Sequence, residues 1–532
     1  MLIEDFTIET VEVNGIPIQT FKKRYRNLRQ MFSESVAAHE KNLYLIEGDH
    51  RFTYGDTAGL AAGMAELFRK EAGVGKGDHV GLLMENTAQF VIAFWAIQEL
   101  GAEAVVFNTR LAPPELKRQV LFSDLKALLS TPTLSSKVQN APSDGRPFRH
   151  IVLGEDWKSD LSRARRSAPA VDVDEDETAL ILFTSGTVGV PKGVMITHRN
   201  LITSAFKVGF VSSQIKDLHE IGPLTCLIAA PLFHVMAIQE QLIPAVFQGQ
   251  ACILMPVFEP KAFLELFAVN RVTNLVGTPT MYWLLLNKTP LREAKPDSVR
   301  SIGYGGAPMP PDLLMDIRRT FPGALCMNGY GSTEASVISL LHDRYCESHP
   351  TSVGQPHLCS EVKIEDPLTG KELGPDGVGE LAVRGALVSK GYYKSPEETT
   401  SVYRKGWFYT GDMAYRDAEG FIYVVGRTRE MINRGGENVY PVEVENVLHL
   451  HPKILDVSVF GLPDPVMGSI VACAIVSRPD TEKITAEEVQ AFCRDQLASY
   501  KIPQRIFFVP DLPRNPGGKV IKGKLVEQFQ TT

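Results

Sequence analysis

The 532-residue sequence holds seven cysteines, but no CxxC pair and no cluster of Cys and His at metal-ligand spacing. They are scattered at positions 226, 252, 326, 346, 359, 473 and 493. An odd, dispersed set argues against a disulfide framework and against structural zinc, and fits free thiols in a reducing compartment. Long apolar runs are missing too: the most apolar stretch, residues 90–97, is too short to span a bilayer. The N-terminal MLIEDFTIETVEVNG carries acids where a secretory signal needs bases, and the C-terminal VEQFQTT has no lipidation or peroxisomal address. The expectation is a cytoplasmic location and no transmembrane segment. Excess positive charge is also lacking. The net charge is -7 and basic clusters such as residues 163–166 are short, which excludes a general nucleic-acid binder. Internal repeats and low-complexity tracts are absent.

What is present is a globular balance of 44% hydrophobic and 22% charged residues, on a chain long enough for at least two domains. Residues 80–84 (VGLLM) read as a buried strand. Asn86 is placed to cap a helix over 88–100, Gly101 stands at its C-terminal cap, and 105–107 reads as the next strand. This strand, helix, strand order predicts a parallel α/β sheet. The acidic segment 171–178 (VDVDEDET) reads as an exposed linker into a strand over 179–183 that ends in a glycine-rich turn. Further units are a strand at 224–230, a helix at 260–269 and a strand at 274–276. From about Thr351 Gly, Pro and alternating apolar residues suggest short antiparallel strands, such as a barrel. After Gly426 a mixed α/β pattern returns for about a hundred residues, a common size for a small domain. The expected division is 1–429 and 430–532.

Six segments carry candidate chemistry. In TSGTVGVPKG, Thr184 to Gly193, the residues Gly186, Gly189 and Gly193 allow close backbone approach to an anion. Thr184, Ser185 and Thr187 add hydroxyl donors, and Lys192 adds charge. The set suits a polyphosphate, although alone it reads equally as a flexible surface loop. It does not match GxxxxGK[ST], which disfavours a P-loop ATPase or kinase. In NGYGSTE, an aromatic beside glycine can stack on a base, and a hydroxyl followed by a carboxylate can hold a phosphate oxygen and hydrated Mg2+; alone it also reads as a turn. In Tyr409-Thr410-Gly411-Asp412, the Asp after a glycine turn can accept two hydrogen bonds from a ribose diol, or be an ordinary Asp turn. GRTREMINRGGENVYPVEVE, residues 426–445, reads by itself as a domain linker running into a surface helix. LPRNPGGKV, 512–520, places a lysine on a glycine loop, and APLFH, 230–234, places a lone His among apolar residues, where a core histidine is the plainer reading.

Together these segments resemble the adenylating superfamily of acyl- and aryl-CoA synthetases, peptide-synthetase adenylation domains and firefly luciferases, in sequence, order and spacing from about Phe52 to Leu525. The family loop is close to TSGTTGxPKG, with Val188 here replacing a threonine. The resemblance implies that the 184–193 loop binds ATP, that Tyr330 beside Gly331 stacks on adenine, that Thr333 contacts the α-phosphate and that Glu334 helps to hold Mg2+. Gly306, Ala307 and Pro308 resemble the adenine-side loop. Asp412 and Arg427 match the family's ribose or phosphate contacts. Glu430 stands at the hinge, where Asp or Lys is usual, and Gly435 and Gly436 would lie beside the pantetheine tunnel. Lys519 matches the lysine needed for adenylation, although Asn515 and Val520 depart from the usual Thr and Ile. His234 matches a residue near the acyl tunnel, where Met236, Gly277, Thr278 and Met281 would line the acyl pocket.

The implied fold is α/β: a large N-terminal domain of two α/β subdomains plus a small β-barrel, followed by a small mobile α+β domain. The implied function is an ATP-dependent carboxylic acid–CoA ligase that passes through an acyl-AMP, with ATP, Mg2+ and coenzyme A required, acting as a monomer or homodimer. No carrier domain follows the lysine loop, which makes coenzyme A the first choice; a carrier protein in trans, an amine or oxygen are alternative acceptors. From another class, the chain could be a non-catalytic ATP or AMP sensor, against which the intact Lys519, Glu334 and Asp412 speak. No acid or base in the sequence marks out a charged substrate, which leaves a medium-chain, cyclic or aromatic acid as the expectation.

Overall fold

The computed structural model describes residues 6–138, 148–154, 156–162, 171–184, 192–215, 223–293, 296–435, 437–479, 481–514 and 520–530. The strand, helix, strand order of the sequence produces the expected parallel pairing. His79–Leu83 pairs in parallel with Glu103–Val106, and helix Ala88–Glu99 crosses between them. Residues 90–98 of that helix are all buried. A helix apolar on every side must be covered on every side, and this one lies between two sheets. Toward one sheet, the Trp95 indole N–H donates to the Tyr44 hydroxyl at 3.0 Å. Toward the other, the Gln98 amide donates to the Ala179 carbonyl at 3.2 Å.

The first of these sheets has nine strands, in the order Gln355–Pro356, Ser336–Leu341, Leu325–Ser332, Ser301–Gly305, Asn274–Gly277, Thr225–Ile228, Ala251–Leu254, Leu43–Glu47 and His50–Thr53. Its central pairs are parallel and its edges antiparallel. The second has six strands, in the order Lys192–Thr197, Thr178–Thr184, Glu103–Val106, His79–Leu83, Leu125–Ser130 and Arg149–Val152. Where the sequence suggested a barrel, the structure has a five-stranded antiparallel half-barrel sheet, whose long strands are Ser360–Glu365, Gly379–Gly385, Trp407–Arg416 and Ile422–Arg427.

Beyond Arg427 a short 3-10 turn, Thr428–Glu430, leads into a further five-stranded sheet. Its strands Ile454–Asp464 and Gly468–Ser477 pair over their full length, and helices Pro441–His449, Ala486–Arg494 and Lys522–Phe529 cover it. Val444, Leu448, Val459, Val471, Ile475 and Val489 form a core of its own. All seven cysteines are buried and unpaired. Among the described residues no helix is long and apolar enough to cross a membrane.

Two local expectations change. The cap of helix Ala88–Glu99 is Thr87, whose side chain accepts from Phe90 N–H, not Asn86. Asn86 is buried and ties the two large sheets together: its amide donates to the Ala230 carbonyl at 2.8 Å and its carbonyl accepts from Leu232 N–H at 2.8 Å. The acidic segment 171–178 is not a free linker. Arg24 and Arg199 hold Glu175, and Arg199 also forks onto Asp176. Two of its acids, Glu175 and Asp176, are counter-charges for two guanidinium groups, a pairing invisible to local pattern.

Asn86→Ala strands a buried carbonyl and a buried N–H, and each costs about 1–3 kcal/mol when unpaired. The expected outcome is a lowered denaturant midpoint with the circular dichroism spectrum retained. A second outcome concerns pH. His198 is 2% exposed and its Nδ1 accepts from Leu28 N–H. Burial pulls its pKa down to about 4, with Glu177 and Asp174 opposing. The folded value lies below the unfolded one, so the unfolded chain takes up a proton that the folded chain refuses, and stability is lost as pH falls from about 6.5 to about 4. His198→Gln should flatten urea-measured stability against pH by about 1.4 kcal/mol per unit within that window and leave the profile above it unchanged.

Candidate active site

The chemistry-bearing segments meet at the C-terminal edge of the two parallel sheets, the usual ligand edge of such folds. Strand Thr178–Thr184 ends at Thr184, and the antiparallel strand Lys192–Thr197 returns with Lys192 opposite Thr184. Ser185, Gly186, Thr187 and Gly189 lie outside the described residues. The Lys192 ammonium stands 3.2 Å from Glu398 and 5.3 Å above the Tyr392 ring. Tyr392 is a residue that sequence reading missed. Its hydroxyl donates to Glu334 Oε1 at 2.8 Å, so it joins the Lys192 strand to the Glu334 turn. The Glu334 carbonyl in turn accepts from Ser389 N–H at 2.7 Å.

Glu334 and Thr333 follow strand Leu325–Ser332 in a half-buried turn. Gly331 is required there: a Cβ would land on the Ser336 carbonyl. Gly306, with φ of +78°, follows strand Ser301–Gly305 and lies within 4 Å, as judged from an added Cβ, of Met236 and Thr278. Ala307 and Pro308 continue from it in the segment before helix Pro311–Thr320.

The Tyr-Thr-Gly-Asp segment is strand rather than loop. It lies within Trp407–Arg416, where Gly411, at φ of +73°, bends the chain and the ladder slips at Met413. The bend holds Asp412 opposite Arg427. Asp412 is 6% exposed; its Oδ1 pairs with Arg427 Nε at 2.5 Å and its Oδ2 accepts from the Tyr330 hydroxyl at 2.5 Å. Burial raises the Tyr330 pKa far above its ordinary value, and the adjacent Asp412 charge adds to this. Burial works against the Arg427 charge, yet Asp412 leads the neighbours that raise its pKa on balance. Tyr330, Asp412 and Arg427 are thus one hydrogen-bonded group drawn from two sheets.

A cavity of about 200 Å³, partly open to solvent, runs from this edge down beside the nine-stranded sheet. Gly305, Gly306 and Gly331 line its upper end; Ser301 and Asn274, the first residues of their strands, and Gln250 line its lower end. Met236 is on its wall. Thr278 caps helix Pro279–Lys288, and Met281 packs against Gly277. His234 precedes the short helix Val235–Ala237; its Nε2 is buried and has no hydrogen-bond partner among the described residues. Burial, helped by Arg110, pulls its pKa down to about 4, so the ring is neutral at physiological pH. The cavity wall also carries Lys207 and Glu240, two charged residues that sequence reading did not single out. A lysine inside the apolar run LITSAFKVGFV was the available signal.

Glu430 lies in the turn between the half-barrel and the last sheet, 3.3 Å from the Lys522 ammonium. Gly435 has φ of +60° and its N–H donates to the Met467 carbonyl at 2.8 Å. Gly436 and Lys519 lie outside the described residues.

Known proteins resemble the chain over nearly its whole length. A feruloyl-CoA synthase from Amycolatopsis is 36% identical over 91% of this chain and 95% of its own length. A 2-succinylbenzoate–CoA ligase from Bacillus velezensis is 34% identical over 92% and 95% respectively. Among solved structures, O-succinylbenzoate coenzyme A synthetase from Bacillus subtilis in complex with ATP and magnesium ion superposes with a TM-score of 0.80 at 30% identity, covering 94% of this chain and 100% of that one. ATP-bound MatB from Rhodopseudomonas palustris reaches 0.85 at 27% identity, covering 95% and 99%. The AMP-binding enzyme pattern matches residues 32–393 and the AMP-binding enzyme C-terminal domain matches residues 443–519, and the chain belongs to that family of adenylating enzymes.

Proposed function

We propose that this chain is an AMP-forming acid–CoA ligase, and that the site just described activates a carboxylic acid with ATP before handing the acyl group to the thiol of coenzyme A. The observation that carries the reading is that Tyr392 joins the 184/192 strand pair to the Tyr330–Glu334 segment, that Tyr330 bonds the Asp412–Arg427 pair, and that Gly331 and Ser332 of the same segment line a mostly apolar cavity. A nucleotide and an acyl group then share one junction.

In the first step a carboxylate oxygen attacks the α-phosphorus of ATP, the bond to the bridging oxygen breaks, and pyrophosphate leaves. Two anions approach one another, so positioned cations and hydrogen-bond donors contribute most of the rate. Lys192 and the loop amides serve the polyphosphate, Thr333 the α-phosphate, and Lys519 the space between carboxylate and phosphate. Asp412 accepts from the ribose hydroxyls, and Arg427 and Tyr330 hold it in place. A Mg2+ that arrives with polyphosphate needs one or two protein carboxylates besides phosphate oxygens and water. Glu334 suits that demand, since Tyr392 occupies only its Oε1; bound there, the ion would neutralise phosphate charge.

In the second step the thiolate attacks the acyl carbon, the acyl–phosphate bond breaks and AMP departs. The division into 1–429 and 430–532 lets the smaller part turn about Glu430, which breaks the contact with Lys522, withdraws Lys519 and brings Gly435 and Gly436 to the thiol. The acid is medium-chain, cyclic or aromatic; relatives named for ferulate and succinylbenzoate act on aromatic acids, while another is named for long-chain fatty acids, outside that range.

Lys519→Ala should cut ATP–pyrophosphate exchange by about 100-fold or more while sparing thioester formation from supplied acyl-AMP. Normal exchange in that variant removes Lys519 from the first step. Asp412→Ala should raise the KM for ATP at least about tenfold, a loss of about 1.4 kcal/mol, with the KM for the acid little changed. Pyrophosphate release across a panel of acids, with and without coenzyme A, tests the reading as a whole; release with no acid refutes it.

A further inference from the structure

The wall of the cavity is apolar over most of its length, yet it carries two charges close to one another. Lys207, on helix His198–Ser213, is 1% exposed, and its only hydrogen-bond partner among the described residues is the Val337 carbonyl. An ammonium has three donors, so two remain. Glu240 lies in the π-helical stretch Ile238–Leu242, a wider turn that brings both Glu240 and Gln241 to the cavity. Ser204 at 2.9 Å and Ser336 both donate to its Oε1, which leaves Oε2 for the cavity. The two charges are anchored on consecutive residues of one strand, Ser336 and Val337. Those residues pair with Ser332 and Gly331, at the end of the cavity nearest the adenylating segment.

Burial draws the Lys207 pKa down to about 8, against the pull of Glu240, so water serves this ammonium poorly. A bare hydrocarbon beside the pair would leave two Lys207 donors and Glu240 Oε2 without partners. A second carboxylate would satisfy Lys207 but face Glu240, and an amine would do the reverse. A hydroxyl, by contrast, is a single small group that both accepts from an ammonium and donates to a carboxylate. We infer that Lys207 and Glu240 select a hydroxylated acid, whose hydroxyl lies on the half of the acyl group nearer its carboxyl. This deepens the proposed ligase reading and rests on it.

The test uses matched acids with and without one hydroxyl, of aromatic, alicyclic and medium-length unbranched types, together with the diacid of each. Pyrophosphate release gives kcat/KM for the whole enzyme, for Lys207→Met and for Glu240→Gln. Release with any acid upholds the ligase reading independently of the ratios. For the best-used pair, the hydroxy acid should exceed its deoxy partner by about tenfold or more, because a site built to hydrogen-bond a hydroxyl discriminates strongly against its loss. The ratio should fall toward unity in both variants, and moving the hydroxyl to the far end of the acid should abolish the preference. A diacid that outranks the hydroxy acid, or a ratio unchanged in the variants, overturns the inference. So does an equal loss for every acid in Lys207→Met, which would make Lys207 a handle for the reacting carboxylate or a structural tie. Should Lys207→Met not fold, Glu240→Gln keeps both serine contacts and reads the same ratio.

Discussion

The buried carboxylate of Asp412 is the contact on which the site depends. A charge this far from water persists only when an opposite charge and hydrogen bonds replace the water it has lost. Arg427 supplies the charge and Tyr330 the second hydrogen bond, at 2.5 Å each. Tyr330 is on the nine-stranded sheet, Asp412 on the half-barrel, and Arg427 on the last half-barrel residue before the turn into the C-terminal sheet. Three parts of the chain are therefore registered on one carboxylate, and the edge where they meet is the edge where the glycine-rich strands end.

The same rule, that buried polarity must be partnered, organises the surroundings. Asn86 satisfies backbone groups across the seam of the two large sheets, and Glu175 and Asp176 satisfy Arg24 and Arg199. Within the cavity it is met only in part. Lys207 keeps two donors beyond Val337, while Gln241 Oε1 and Asn274 Oδ1 are buried with no partner among the described residues. These unmet groups lie where a ligand can meet them, which is how a mostly apolar cavity acquires selectivity.

Much of this was legible before the structure. The run FVIAFWAIQ is apolar on all helical faces and too short for a membrane, so it had to be a covered helix, and it lies between two sheets. Helix Pro260–Val269 begins and ends where its proline and periodicity place it. The Tyr-Thr-Gly-Asp segment was found by its residue types, but its conformation was not: a glycine before an aspartate looks like a turn, whereas cross-strand partners hold it in a ladder with one bend. Asn86 looks like a cap in the sequence because local pattern does not register a partner 144 residues away. Lys207 escapes local pattern for a related reason, since its helix meets a cavity that distant strands and helices complete.

The sequence by itself determined the set of chemical groups and their order along the chain, because glycine spacing, hydroxyls and charges are local properties and the family's motifs are contiguous. It also determined the alternation that makes the sheets parallel. Tertiary structure alone decided which groups share a carboxylate, that Tyr392 reaches Glu334, and that a lysine and a glutamate from separate helices face one cavity. Those are matters of distance between residues far apart in the chain, set by how sheets pack and strands register, and no local pattern carries them.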